Sequence, residues 1–232
     1  MYRHILFDVD NTLIDFHACE REIFRALAHE FGFSLTTVNG TSLLVEYQRI
    51  NRELWQGLER AQVSTAEVRQ KRFELLAQHI HTNAAARAPD PASLNRAFIA
   101  RLRRCAIPVP GALPLVHSIA PITIVTNGFA DVQHSRLAIS GIATYTDHVF
   151  ISEEVGASKP QRAFFDHVLR VLGNPTPADC IIVGDSPSSD IAGGKNAGMT
   201  TVLFDPGGKQ QDRLADYRIR RLSELRAILD AT

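Results

Sequence analysis

The sequence contains few cysteines and no excess of either charge, and both features exclude classes of protein. Its 232 residues include three cysteines, Cys19, Cys105 and Cys180, which lie far apart and form no Cys-x-x-Cys pair. An odd number at such spacing indicates neither a disulfide framework nor a zinc cluster. The 25 Lys and Arg residues balance 25 Asp and Glu residues. This balance removes the electrostatic argument for a nucleic-acid polymer or an anionic membrane as partner, whereas a small anionic ligand needs only a few local charges.

Long apolar runs are also missing from the sequence. No run reaches the ~18 residues that a membrane span needs, and the first predicted strand begins so close to Met1 that we expect no signal peptide. Together with the cysteine usage, these features predict a cytoplasmic protein. A composition of 45% hydrophobic and 22% charged residues is that of an ordinary globular protein with one large domain or two smaller ones.

The stretch HILFDVDNTLID, residues 4–15, predicts a buried strand that ends in an acidic loop. Side chains alternate along a strand, so Asp8 and Asp10 point to one side if the extended geometry continues. Two neighbouring carboxylates repel each other and need either a divalent cation such as Mg2+ or a shared proton. Thr12 is placed to hydrogen-bond backbone or carboxylate and so to fix the loop.

The rest of the chain divides into a helical segment and an alternating segment. Residues 16–108 are rich in Ala, Arg, Glu, Gln and Leu with apolar positions at helical spacing, which predicts an all-helical domain. Beyond the proline cluster at 108–110, apolar β-branched runs at 122–125, 148–151, 180–183 and 200–204 alternate with helical patterns. This alternation predicts a Rossmann-like parallel sheet, an α/β fold. We therefore expect a catalytic core of residues 1–15 and 109–232 and an inserted helical cap of residues 16–108, hinged near Phe16 and Pro108.

Polar groups follow the predicted strands at their carboxyl ends, where open α/β sheets bind ligands. They are Asp8 and Asp10, Thr126-Asn127-Gly128, Lys159, and Asp185 with Asp190. The order Asp-x-Asp-x-Thr, Thr after an apolar strand, Lys-Pro, and Gly-Asp-Ser-x-x-x-Asp resembles the haloacid dehalogenase superfamily of phosphohydrolases. The resemblance spans the whole chain, with all four motifs in order.

This resemblance implies a role for each motif. Asp8 would be the nucleophile that forms an aspartyl phosphate, and Asp10 the acid and base for leaving group and water. Asp10 also separates phosphatases and phosphomutases from dehalogenases, which need no such acid. Lys159, the Thr126 hydroxyl and backbone N–H groups near Asn127 and Gly128 would hold the phosphoryl oxygens. Asp8, the Asp10 carbonyl and Asp185 would hold Mg2+, with Asp190 beside it as a ligand through water or as an orienting group.

A narrower resemblance is to pyrimidine 5'-nucleotidases that act on noncanonical nucleotides. It is carried by Asp15-Phe16, Thr126 to Phe129, Gln133, Arg136-Leu137, Ser140 to Ile142, Ile151 to Gly156, Lys159-Pro160 and Asp190 to Gly198. It departs at Gln161-Arg162, where relatives usually have an acidic residue after Lys-Pro. It implies hydrolysis of UMP, dUMP or dTMP, with a base-stacking aromatic among Phe16, Tyr47, Trp55 and Phe73. We favour Phe16, because it adjoins the hinge, and expect Phe73 to lie in the helix core.

Other functions stay open at this point. A phosphatase of a sugar phosphate or of phosphoglycolate would keep the same chemistry with another substrate. A phosphomutase would retain the phosphate, and a binding module would leave these groups idle. In the reading we favour, the partner is a small-molecule phosphate ester, with no nucleic-acid polymer and no membrane, and the chain is a monomer or a weak homodimer.

Overall fold

A six-stranded parallel sheet forms the centre of the fold, in the order β3-β2-β1-β4-β5-β6. The computed structural model describes residues 2–33, 42–83, 89–210 and 212–231. The strands are β1 (His4–Phe7), β2 (Ile122–Thr126), β3 (Thr146–Ile151), β4 (Cys180–Gly184), β5 (Thr200–Phe204) and β6 (Tyr217–Ile219). Every neighbouring pair is parallel. Such sheets are covered on both faces, which explains why β2 and β4 are buried throughout.

Helices occupy most of the remaining described chain. Four of them lie between β1 and the proline cluster at 108–110: α1 (Phe16–Phe31), α2 (Leu43–Glu59), α3 (Thr65–Asn83) and α4 (Pro91–Leu102). The others are α5 (Ala112–Ile119), α6 (Ala130–Ser140), α7 (Ser152–Val155), α8 (Arg162–Val171), α9 (Ala192–Ala197) and α10 (Leu225–Asp230). A π-helical turn, Pro187–Ile191, joins β4 to α9. None of the described helices is both long and apolar enough to cross a membrane.

The chain separates into two compact units. The first contains Met1–Phe16 and Ala106–Thr232, and the second contains His17–Cys105. The sequence predicted domain boundaries between residues 15 and 16 and between residues 108 and 109. In the structure, Phe16 and residues 106–108 belong instead to the sheet-bearing unit. Backbone hydrogen bonds explain this: Asp15 N–H donates to Ile107 O at 2.8 Å and Val109 N–H to Leu13 O at 2.9 Å. The two connectors are therefore paired with each other.

Each unit has its own apolar core. In the sheet-bearing unit, side chains from β1, β2 and β4 pack against Phe164, Phe165 and Val168 of α8. In the helical unit, the rings of Phe24, Tyr47, Phe73 and Phe98 pack together with centroid separations from 4.5 to 6.4 Å. Tyr47 and Phe73 are fully buried there. Two of the candidate stacking aromatics are thus core residues of the helical unit, as expected for Phe73.

The predicted fold class, a Rossmann-like parallel sheet with an inserted helical segment, is confirmed. Four elements of the sheet-bearing unit were not predicted. They are α5, whose run of apolar residues follows directly on the proline cluster, α7 and α9, of four and six residues, and β6, a three-residue edge strand too short to show alternation. Residues 34–41 and 84–88 of the predicted helical segment lie outside the described residues.

Candidate active site

The register of the sheet brings the carboxyl ends of β1, β2 and β4 together. Phe7, the last residue of β1, pairs with Ile124 of β2 and with Val183 of β4. Asp8 continues this alignment, because its N–H donates to Val183 O at 2.9 Å. The residues that follow these three strands therefore lie at the same edge of the sheet. This is the edge at which open α/β folds bind their ligands.

Lys159 is the centre of a buried charge cluster at this edge. Its Nζ donates to Asp8 Oδ1 at 2.8 Å, to Asp190 Oδ1 at 2.6 Å and to the carbonyl of Val125 at 2.8 Å. The lysine side chain is only 1% exposed. Burial disfavours the charged ammonium, but Asp190 and Asp8 outweigh that effect and raise the pKa of Lys159 above its ordinary value. The lysine is therefore a fixed cation.

Asn127 fixes the backbone of the loop that carries this lysine. Asn127 Nδ2 donates to Lys159 O, and Lys159 N–H donates to Asn127 Oδ1, both at 2.9 Å. This reciprocal pair satisfies both backbone polar groups of Lys159, much as a neighbouring strand would. The predicted site residue Asn127 thus reaches Lys159 through its side chain, in addition to the backbone role that the sequence suggested.

Asp190 is held by the turn that follows β4. Its Oδ2 accepts from Ser186 N–H at 3.1 Å, and its side chain is only 1% exposed. The Asp190 side chain lies directly against the backbone of Gly184. A Cβ at this glycine would lie 2.2 Å from Asp190 Cγ. Asp185, in the same turn, is held through its carbonyl, which accepts from Gln210 Nε2 at 2.9 Å.

Asp8, Asp185 and Asp190 form an acidic group that suits a divalent cation. One carboxylate oxygen from each lies within 4.8 Å of the others. Burial raises the pKa of Asp8 to about 7, with repulsion from Asp190 and Asp10 adding to the rise and Lys159 opposing it. Burial and repulsion from Asp8 and Asp190 likewise hold the pKa of Asp185 well above its usual value. One lysine therefore does not neutralise three carboxylates, and hard oxygen donors at this spacing fit Mg2+.

Thr126 and Gly128 lie beside this acidic group, at the end of β2. The Thr126 hydroxyl is fully buried and accepts from Gly128 N–H at 3.1 Å and from Gln133 Nε2 at 2.8 Å. Gly128 leaves space for the Gln133 side chain, because a Cβ there would lie 2.4 Å from Gln133 Nε2. In this structure the Gly128 N–H is thus directed to the threonine, whose own hydroxyl proton stays available to an acceptor.

Asp10 turns toward α6. Its Oδ1 accepts from Arg136 Nη1, and its Oδ2 accepts from Gln133 Nε2 at 2.8 Å. The bend after it is possible because Asn11 adopts a positive φ of 60°, a conformation in which Asn is enriched. The Asp10 side chain is 31% exposed. Unlike Asp8, it thus combines two fixed partners with access to solvent.

Thr12 and Phe16 are two further residues for which the sequence predicted a role. The Thr12 hydroxyl was expected to fix the loop, but it is buried without a hydrogen-bond partner among the described residues. The loop is instead held by backbone bonds, including Leu13 N–H to Val9 O at 2.9 Å. Phe16, the favoured stacking aromatic, is partly exposed, and its ring centroid lies 5.9 Å from Cζ of Arg136.

Residues 2–198 match the haloacid dehalogenase-like hydrolases. The chain belongs to this family. The predicted family is thereby confirmed.

Relatives of this hydrolase include two named nucleotidases. Pyrimidine 5'-nucleotidase YjjG of Escherichia coli (strain K12) is 33% identical over 231 residues, which cover 97% of this chain and 96% of that protein. Pyrimidine 5'-nucleotidase PynA of Streptococcus pneumoniae is 30% identical over 209 residues, covering 88% and 84%. A named sugar-phosphate enzyme also matches: ribulose-1,5-bisphosphate 5-phosphatase of Halopiger xanaduensis, 29% identical, with 95% and 96% covered.

A solved structure has the same fold. The crystal structure of the putative hydrolase YfnB from Bacillus subtilis superposes with a TM-score of 0.88 at 32% identity, covering 99% of both chains. That structure is described as bound to magnesium and as revealing interdomain movement.

Sequence reasoning missed the contacts that Gln133, Arg136 and Gln210 make at this site. Gln133 and Arg136 were noticed only as points of resemblance. Their spacing of three residues puts them on one face of α6, the face that also carries the buried Val132 and Leu137. Polar residues on the apolar face of a helix were the available signal. Gln210 gave none, because it contacts Asp185 across 25 residues of sequence.

Proposed function

We propose that this hydrolase is a Mg2+-dependent phosphomonoesterase that converts pyrimidine nucleoside 5'-monophosphates to nucleoside and phosphate. The observation that carries the proposal is the cluster in which Lys159 Nζ joins Asp8 at 2.8 Å and Asp190 at 2.6 Å. It supplies a nucleophile, a fixed cation and an acidic pocket at one sheet edge. Kinship with YjjG over almost the entire chain supports the substrate class.

Asp8 is the nucleophile in this proposal. Its carboxylate attacks phosphorus, the bond from phosphorus to the ester oxygen breaks, and an aspartyl phosphate forms. Water then attacks that phosphorus, releasing phosphate and restoring the Asp8 carboxylate. Splitting one displacement into two easier ones is the general advantage of covalent catalysis.

Asp10 moves the protons of both steps. As an acid it protonates the departing nucleoside 5'-oxygen, and as a carboxylate it takes a proton from the attacking water. The Asp10 side chain is 31% exposed and can exchange protons with substrate and water, whereas the Asp190 side chain is only 1% exposed. A nucleoside alkoxide is a poor leaving group, so the acid is essential to the first step.

Lys159 and Thr126 hold the phosphoryl oxygens. Asp8, Asp190 and Val125 O fix the Lys159 ammonium before substrate arrives, so its positive charge is in place as negative charge develops on the transferring group. The Thr126 hydroxyl, anchored by two donors, can direct its proton to an oxygen of the substrate.

Asp8, Asp185 and Asp190, with the Asp10 carbonyl, are the residues that would hold Mg2+. When bound, the cation would neutralise the excess acidic charge, favour the Asp8 anion and allow a phosphate dianion to approach. The raised pKa values of Asp8 and Asp185 reflect that excess. Gln210 Nε2 donates a hydrogen bond to the backbone carbonyl of Asp185 and so holds the backbone that carries this carboxylate.

A second substrate class, sugar phosphates, has its own support. The relative from Halopiger xanaduensis is named for a sugar bisphosphate and covers as much of the chain as the nucleotidases do. The proposed chemistry is unchanged in this alternative, because Asp8, Asp10 and Lys159 act on the phosphoryl group that both substrates share.

The test is release of inorganic phosphate with Mg2+ from dUMP, UMP, dTMP, purine monophosphates and sugar phosphates. Asp8→Asn, which keeps the shape but removes the nucleophilic charge, should abolish release from every ester. Highest kcat/KM on a pyrimidine monophosphate supports the whole proposal. Turnover confined to sugar phosphates contradicts the nucleotidase assignment only, and undiminished turnover by Asp8→Asn contradicts the mechanism.

A further inference from the structure

We propose that Gln133 and Arg136 are positioning residues that hold the Asp10 carboxyl in the orientation it needs to protonate the leaving oxygen. This inference rests on the phosphomonoesterase part of the proposed function. It assigns a role to two buried polar side chains of α6 that the proposed mechanism leaves unused.

The geometry of the contacts carries the proposal. Arg136 and Gln133 donate to different oxygens of Asp10, the first to Oδ1 and the second to Oδ2 at 2.8 Å. Two donors on opposite oxygens fix the plane of a carboxyl group, which a single donor cannot do. Each carboxylate oxygen has two acceptor positions, so both keep one for the transferred proton.

The two donors are themselves fixed. Gln133 is 0% and Arg136 is 1% exposed. Gln133 Oε1 accepts from Arg136 Nη1 at 3.1 Å, so the side chains orient each other. The Phe16 ring lies near the guanidinium, 5.9 Å from its Cζ. Groups held by packing and by second partners are what precise placement of an acid requires.

Gln133 also connects Asp10 to the phosphoryl-binding hydroxyl. Its Nε2 donates at 2.8 Å both to Asp10 Oδ2 and to Thr126 Oγ1. One amide thereby sets the position of the acid relative to the group that holds the transferring phosphoryl. Gly128 leaves the space for it, because a Cβ there would lie 2.4 Å from that same Nε2.

A purely structural role would be that Asp10 neutralises a buried arginine. The two roles differ in their dependence on the leaving group. A nucleoside 5'-alkoxide needs a proton from Asp10 as the ester bond breaks, whereas p-nitrophenolate departs as a stable anion without one. Loss of positioning must therefore reduce turnover of the nucleotide and spare that of p-nitrophenyl phosphate. General misfolding reduces both equally.

The experiment measures kcat/KM for dUMP and for p-nitrophenyl phosphate on the same sample of each variant. The ratio of the two values does not depend on the fraction of folded enzyme. Arg136→Met should lower the ratio by about 10- to 100-fold, the cost of misplacing a catalytic group by about 1 Å. Arg136→Lys should recover part of it. Gln133→Met should lower both values through Thr126, and that for dUMP by more.

Arg170→Met is the matched control, because Arg170 is an exposed arginine of α8 in the same unit. Its ratio should equal that of the wild type. If Arg136→Met does not fold, Arg136→Lys and Gln133→Met carry the comparison. A ratio unchanged in all the α6 variants, whether both values fall together or neither falls, overturns the proposal.

The wild-type protein separates this test from that of the proposed function. If it hydrolyses sugar phosphates but not dUMP, the nucleotidase assignment fails, and the best sugar phosphate replaces dUMP as the alkyl ester in the ratio. If it hydrolyses no phosphate ester, the proposed function fails and this inference with it.

Discussion

At the scale of single residues, Lys159 shows how the site uses charge that would otherwise destabilise the fold. A buried ammonium is costly unless carboxylates surround it, and two buried carboxylates are costly without a cation. Lys159, Asp8 and Asp190 meet both needs within 2.8 Å. Removing Lys159 leaves two buried carboxylates without a cation, so stability and catalysis both depend on this side chain.

Lys159→Met should therefore lower both stability and activity. In EDTA we expect a loss of about 3–5 kcal/mol in the free energy of unfolding, because Asp8 and Asp190 lose their shared cation. Urea denaturation measures this loss. Phosphate release should fall by at least about 10²-fold, the effect of removing one preorganised donor to the transition state.

Lys195→Met is the control for this substitution. Lys195 also pairs with an aspartate, Asp216 at 2.7 Å, but both side chains are more than a third exposed. Exposed pairs contribute about 1 kcal/mol or less, so this variant should stay close to the wild type in both measurements. If the two lysine variants lose the same amount of stability, the buried cluster does not have the energetic role assigned here.

At the scale of elements, the end of β4 sets the position of Asp190. Gly184 closes the strand, and the π-helical turn Pro187–Ile191 brings the Asp190 carboxyl directly over it. The Ser186 side chain caps this turn by accepting from Ser189 N–H at 3.2 Å. A Cβ at 184 would lie 2.2 Å from Asp190 Cγ, so a larger residue at this position would force the Asp190 side chain to move.

Gly184→Ala should displace Asp190 from Lys159. We expect a destabilisation of about 1–3 kcal/mol from overpacking and a weaker response of the thermal midpoint to Mg2+. Gly207→Ala is the matched control, because a Cβ at that exposed glycine meets its nearest atom at 3.7 Å, an ordinary contact. Differential scanning fluorimetry with and without Mg2+ measures both effects. An equal Mg2+ response in the two variants would contradict the role given to Gly184.

The strands of the site could be predicted from the sequence, but the side-chain contacts between their ends could not. Apolar runs followed by Asp, Thr or Asp-Ser predicted β1, β2 and β4 and the edge at which their polar groups meet, since parallel strands end together. The connections across that edge could not be predicted. Gln133 reaches Asp10 across 123 residues and Asn127 reaches Lys159 across 32, and neither distance leaves a periodic signal in the chain. For Tyr47 and Phe73 the pattern was visible but ambiguous. An aromatic residue on one face of a helix has the same spacing whether it packs in a core, as these two do, or lines a binding site.

At the scale of the whole molecule, the acidic group links folding to pH and to metal. Burial raises the pKa of Asp8 from 3.8 to about 7 in the folded protein. Between about pH 4 and pH 7 the folded state therefore holds a proton at Asp8 that the unfolded state has already lost. Stability depends on pH through this difference in bound protons, so the Asp8 contribution falls as pH rises through that window.

Asp8→Asn should remove that fall, because asparagine has no proton to lose. In EDTA, the thermal midpoint of Asp8→Asn minus that of the wild type should increase as pH rises from about 4 to about 7 and then level off. Asp147→Asn, at an exposed position of β3, is the matched control. Thermal unfolding followed by circular dichroism gives all three curves.

Addition of Mg2+ should stabilise the wild type more than Asp8→Asn. A ligand that binds only the folded state stabilises it by about 2.7 kcal/mol at a concentration 100 times its Kd, and Asp8 is one of the three carboxylates available to hold the cation. At about pH 8, where the Asp8 carboxyl is ionised, Mg2+ should raise the wild-type midpoint well above its EDTA value and that of Asp8→Asn much less. If Mg2+ raises both midpoints equally, Asp8 does not hold the cation. If the difference measured in EDTA does not change with pH, the carboxyl is not kept protonated by its surroundings, and the site must neutralise its charge by another route.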